Sequence, residues 1–170
     1  MARNNRWSNH RLHTVCGRVS AIEYFRDRGA FFNSIHGTLN HILLVDRYYL
    51  DALRGKQPKA GSLSRELYPD LSGLGHAQQE ADEGMIRFCD ELPEASLTAV
   101  IEWIGSDGKL CSDPIHVVLA HLFLHQIHHR GQVHNMLSLA GAKAPQLDEF
   151  LLSQDAALRE QEICDLGLKR

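Results

Sequence analysis

The chain has 170 residues and a mass of 19.2 kDa, enough for one domain with a real core and short for two. Lys plus Arg number 18 and Asp plus Glu 21, a formal charge of −3, which argues against a protein built to grip a phosphate backbone. With 44% hydrophobic and 23% charged residues the composition is that of a globular chain, not a disordered one.

The N-terminal MARNNRWSNHRLHT is polar and basic with no apolar run behind it, so no secretory signal is expected. No stretch approaches the ~18 consecutive apolar residues of a membrane span. From about Asn5 to Arg28, Trp7, Leu12, Val15, Val19, Ile22 and Phe25 recur at three- and four-residue steps and predict a first helix, stopped by Gly29. Asn33 or Ser34 can cap a second helix that carries Leu39, Ile42, Val45 and Tyr49 and ends at Gly55. Lys56–Pro69 reads as a loop. A third helix covers about Leu71 to Leu92, interrupted by Gly73, Gly75 and Gly84.

Thr98–Ile104 has strand character, Gly105–Gly108 reads as a turn, and Lys109–Cys111 can pair back, so this crossover is expected to hold a short hairpin. Asp113 and Pro114 together predict a helix start, an N-cap acceptor followed by a ring suited to the first turn. The fourth helix then runs from Pro114 to Ala140 and stops at Gly141, and a fifth extends from about Leu147 to Cys164. With no repeat, linker or low-complexity tract, the expectation is a single all-α domain over residues 1–170. Its simplest form is a four-helix bundle with an additional C-terminal helix and a long crossover before the fourth helix.

Cys16, Cys89, Cys111 and Cys164 lie far apart and form no C-x-x-C pair, so reduced thiols in a cytoplasm are expected. The unusual count is eleven His against five Lys; protonating all eleven would carry the formal charge from −3 to +8. Six of the His lie between positions 116 and 134, on the fourth helix. At ~100° per residue, His129 falls inside the apolar arc formed by Val118, Leu122, Val133, Met136 and Ala140, and His125 stands at its edge. His121 and His128 lie outside that arc, and His116 and His134 face the opposite way.

Two imidazoles at i and i+4 project from one helical face and can share a metal ion. The second helix offers a third ligand in His41, beside Val45 and Tyr48, with His36 as its competitor. The sharp reading is therefore a triad of His41, His125 and His129. The bland one makes each a hydrogen-bonded core histidine, but two buried rings one turn apart both need polar partners, and a shared metal supplies them. His10, His13, His76, His116 and His134 read as surface residues and His121 as a core-edge group. The zinc-protease pattern H-E-x-x-H is not met, because Gln126 stands where the Glu base belongs.

HQIHHRGQV at 125–133, His121 before it, SIHGTLNHIL at 34–43 and Trp7-Ser8-Asn9 together resemble the DinB (damage-inducible) family, and the resemblance covers nearly the whole chain. It implies a four-helix bundle, commonly a homodimer, in which three His hold a divalent metal, usually nickel or zinc. The ligand positions match His41, His125 and His129. Some related bundles are thiol S-transferases that activate a small-molecule thiol, and others resemble metal-dependent hydrolases. The resemblance thus implies a metal-dependent enzyme of one of these types; a cytoplasmic location and no nucleic-acid or membrane partner are expected from the cysteines, the charge and the lack of an apolar span. The alternatives are a non-catalytic metal-binding protein and a structural homodimer linked to stress or DNA damage. Hydrolysis would call for a carboxylate base, for which Asp46, Asp113 and Asp148 are the candidates by region.

Overall fold

The structure, a computed structural model, describes residues 1–58, 63 and 65–168. The loop expected at Lys56–Pro69 lies in part outside the described residues. Four long helices make the body: α1 (Ala2–Cys16), α3 (Ile35–Leu53), α4 (Leu71–Glu91) and α5 (Ile115–Leu139). Around them stand the short α2 (Ala21–Phe25), an antiparallel hairpin of β1 (Val100–Ile104) and β2 (Leu110–Pro114), and α6 (Ala156–Asp165) near the C-terminus. The fold is thus mostly helical with a small two-stranded sheet. Among the described residues no helix is long and apolar enough to cross a membrane.

Helices α3, α4 and α5 lie close to their expected bounds. Ser34 caps α3 by accepting from the Gly37 N–H, and Asp70 caps α4 by accepting from the Gly73 N–H. Gly55 and Gly141 follow α3 and α5 with φ of 71° and 75°, the left-handed conformation in which glycine carries no steric penalty.

Three boundaries depart from the expectation. The first helix breaks after Cys16, because Ser20 turns its hydroxyl to the Glu23 N–H and starts the separate α2. Asp113 and Pro114 do not open α5: both belong to β2, where they pair with Ile101 and Val100. The first turn of α5 is instead capped by the crossover, with Ile115 N donating to Ala99 O and His116 N to Leu97 O. The C-terminal helix is shorter than expected. Leu147–Leu152 stays non-helical so that Phe150 can pack on Trp7, and Arg159 holds that segment by donating to the Glu149 and Leu152 carbonyls.

Helix α1 packs against α4 and α5, and α3 packs against the same two. The α1–α4 and α3–α5 contacts therefore lie on opposite sides of the body. Two apolar clusters fill the interior. One includes Leu12, Leu39, Ile42, Leu74, Val133 and Leu137; the other includes Val45, Met85, Trp103, Val118 and Leu122. Between them, at the level of Asp46, Asp82 and Gln126, lies a fully buried polar layer.

Candidate metal centre

His41 on α3 and His125 and His129 on α5 meet where the two helices pack, and their ligating nitrogens all lie within 4.8 Å of one another. No other group of three or more His, Cys, Asp or Glu among the described residues is so arranged. The His41 and His125 Nε2 atoms are 3.0 Å apart.

Two of the three rings have their tautomer fixed from behind. His41 Nδ1 lies 2.6 Å from the Leu63 carbonyl oxygen, and His129 Nδ1 lies 2.8 Å from Gln132 Oε1. A carbonyl oxygen only accepts, so each Nδ1 carries the proton and each Nε2 keeps its lone pair for the shared space. Gln132 is itself held, its Nε2 donating to His128 Nε2 at 3.0 Å.

His125 is the ring that the protein alone does not satisfy. Its Nδ1 is sealed from solvent and has no partner among the described residues. A proton on Nε2 leaves Nδ1 unmet. A proton on Nδ1 has no acceptor, and two lone pairs then face each other across the gap to His41. A cation among the three Nε2 atoms removes that second conflict, so these residues fit a metal ion and could hold one. An all-imidazole donor set suits first-row ions such as zinc and nickel.

The rings are also held neutral. Burial lowers the pKa of all three, and His125 is pushed down to about 3, by burial first and then by its histidine neighbours. Phe32 walls one side, stacked on His41 with centroids 3.9 Å apart and edge-on to His129. Tyr49 and His121 border the other end: they meet at 5.4 Å, and His121 lies 6.4 Å from His125.

The remaining candidates lie elsewhere. His36 is buried, its Nε2 accepting from Asn40 and its Nδ1 donating to the Tyr24 hydroxyl, so it is a core histidine turned away from the triad. Asp113 sits in β2, and Asp148 lines an apolar cavity with Met1, Asn4 and Leu151. Asp46 points into the buried polar layer, where Gln126 and Gln78 donate to its two oxygens at 2.6 and 2.7 Å. Among the described residues no carboxylate joins the triad. His13 is a correction to the surface reading: its Nδ1 is sealed from solvent, and burial pushes its pKa down to about 4.

Several positioning groups escaped the sequence reading. Gln132 stands three residues after His129, a spacing that puts its amide beside that ring, so helical periodicity was a usable signal. Gln126, which stands where a zinc protease has its Glu base, donates to the Ile42 carbonyl and to Asp46 and so ties α5 to α3 between the ligands. Leu63 left no signal, because any residue supplies a carbonyl and only the path of the chain brings it to His41.

A family model described as DinB family matches residues 1–162. Among solved structures, the chain is similar to a DinB-like protein from Bacillus cereus, with a TM-score of 0.64 and 15% identity over 82% of this chain and 90% of that one. At that identity the likeness establishes the fold alone. A search among curated proteins found no match.

Proposed function

The chain belongs to the DinB family, and from that premise we propose that it is a divalent-metal protein in which His41, His125 and His129 hold one nickel or zinc ion through their Nε2 atoms. The single observation that supports this best is the pair of carbonyl oxygens, on Leu63 and Gln132, that force the His41 and His129 lone pairs into the space facing His125. We read the four long helices as a four-helix bundle with an added C-terminal helix, working in the cytoplasm as a homodimer.

The activity we propose is metal-dependent transfer to a small-molecule thiol. When bound, such a metal acts as a Lewis acid that stabilises a thiolate or lowers the pKa of a water. Among the described residues no carboxylate comes within ligand range of the three rings, and this favours the thiol reading over hydrolysis. Phe32 shields one face of His41 from water, and Gln132 and Leu63 keep the ring protons on Nδ1.

Elemental analysis of tag-free protein purified without added metal tests the centre. One equivalent of nickel or zinc in the wild type and none in His129→Ala is expected, with His134→Ala unchanged. Metal retained by His129→Ala but lost from His134→Ala would reject the triad.

A further inference from the structure

On the far side of the helical body from the triad, α1 and the N-terminal half of α4 enclose a cleft of about 260 Å³. Arg6 lines it and is only 8% exposed. Yet among the described residues its guanidinium makes no side-chain hydrogen bond and has no carboxylate within ion-pair distance. Its nitrogens are open to the cleft and not sealed from solvent, so the planar fork, which matches a carboxylate or phosphate, faces the space itself.

Several groups around the cleft share that preference, although the buried Gln78 Oε1, an acceptor with no hydrogen-bond partner among the described residues, does not. His10 and His13 line it from α1, and the charge of Arg6 helps to hold the pKa of each down, which marks an electropositive space. Ser72 and His76 line it from the first turns of α4. There the leading N–H groups of a 21-residue helix lack intrahelical partners and favour an anion. Asp70 caps that helix but does not line the cleft. Asp82, the one acid that does, accepts from Asn5, Asn9 and Gln78 at 2.9–3.3 Å; burial and Asp46 raise its pKa, and the charge of Arg6, beyond ion-pair distance, pulls it back down.

We propose that this cleft is a second binding site, which takes the oxyanion group of a small molecule, a carboxylate or a phosphate, on the Arg6 guanidinium with His76 and the start of α4. The site is independent of the metal centre. Its volume admits the anionic group of a small molecule and not a polymer.

Titration of the full chain with inorganic phosphate, followed by calorimetry in an amine-sulfonate buffer, tests the assignment. One saturable site is expected, weakened about tenfold or more in Arg6→Gln. His76→Gln alters an exposed side chain, keeps the fold and is expected to weaken the site about threefold. His129→Ala, which would remove any metal-held phosphate, should bind as the wild type does. Acetate in a parallel titration separates the two chemistries: tighter phosphate marks a tetrahedral group, tighter acetate a carboxylate. No saturation by about 10 mM phosphate or acetate would overturn the proposal. Unchanged affinity in both Arg6→Gln and His76→Gln would do the same, and so would loss of binding in His129→Ala.

Discussion

Helix α5 serves two buried polar clusters from one six-residue stretch, His125 to Arg130, and the two solve the problem of burial in opposite ways. His125 and His129 turn to α3 and meet His41. Gln126 and Arg130, one position further on in each case, turn inward to Asp46, Asn5 and Asn9. In the inner cluster the donors meet acceptors, with the Gln78 and Gln126 Oε1 atoms left over: Asn5 and Asn9 accept from Arg130 through their oxygens and donate to Asp82 through their nitrogens, relaying a guanidinium to a carboxylate. In the outer cluster the neutral His41 and His129 rings aim lone pairs at the space facing His125, whose own Nδ1 has no partner among the described residues. A cluster that links its charges through amides holds helices together, whereas one whose lone pairs converge on a shared space is arranged to receive a cation.

The largest effect expected from breaking this contrast is at the triad. His125→Ala should lower bound metal from one equivalent to none, while the metal-free protein keeps its helical circular dichroism; a folded variant with full metal would contradict the assignment. Next comes the inner cluster, through Arg130. Its pKa is pushed down to about 10 by burial, against the pull of Asp46 and Asp82, so the charged form is already disfavoured and depends on its partners. Arg130→Met leaves both carboxylates without that cation and should cost about 3–5 kcal/mol in urea unfolding. A cost under about 1 kcal/mol would mean that the carboxylates are protonated and need no cation. Smaller still is Gln132→Leu, which frees the His129 ring. Metal affinity should fall about 10–100-fold with unfolding stability nearly unchanged.

The three middle helices were legible because their signals are local. Ser34, Asp70, Gly55 and Gly141 act within a turn of the boundary they set. The first helix was over-extended because Val19, Ile22 and Phe25 keep the apolar period across a break decided by one hydroxyl, that of Ser20. Asp113-Pro114 misled because a cap and a strand end ask for similar backbone angles, and pairing with Val100 and Ile101 settled the matter. At the candidate site, the i, i+4 spacing and a core-edge position brought out all three histidines from sequence. The reading of His13 as a surface residue failed for the converse reason: α4 covers it from a distance in sequence, with Gly75 lying against its ring.

The smallest effect tests whether the inner cluster is as closed as its hydrogen bonds imply. Asp46 and Asp82 are both held above the ordinary carboxylate value of 3.8, by burial first, with mutual repulsion adding to it at Asp82. A carboxyl whose folded pKa is raised binds more protons folded than unfolded above pH 3.8. Its contribution to stability is therefore complete below that pH and is lost as pH rises through the folded value. Asp82→Asn removes one of the two charges and keeps an oxygen to accept from Asn5 and Asn9, so unfolding stability should decline less with rising pH than in the wild type. Parallel pH profiles for the two proteins would show that Arg130 and the surrounding amides already neutralise the pair. The inner cluster would then be indifferent to protons, and the acid and base sensitivity of the molecule would rest with its histidines.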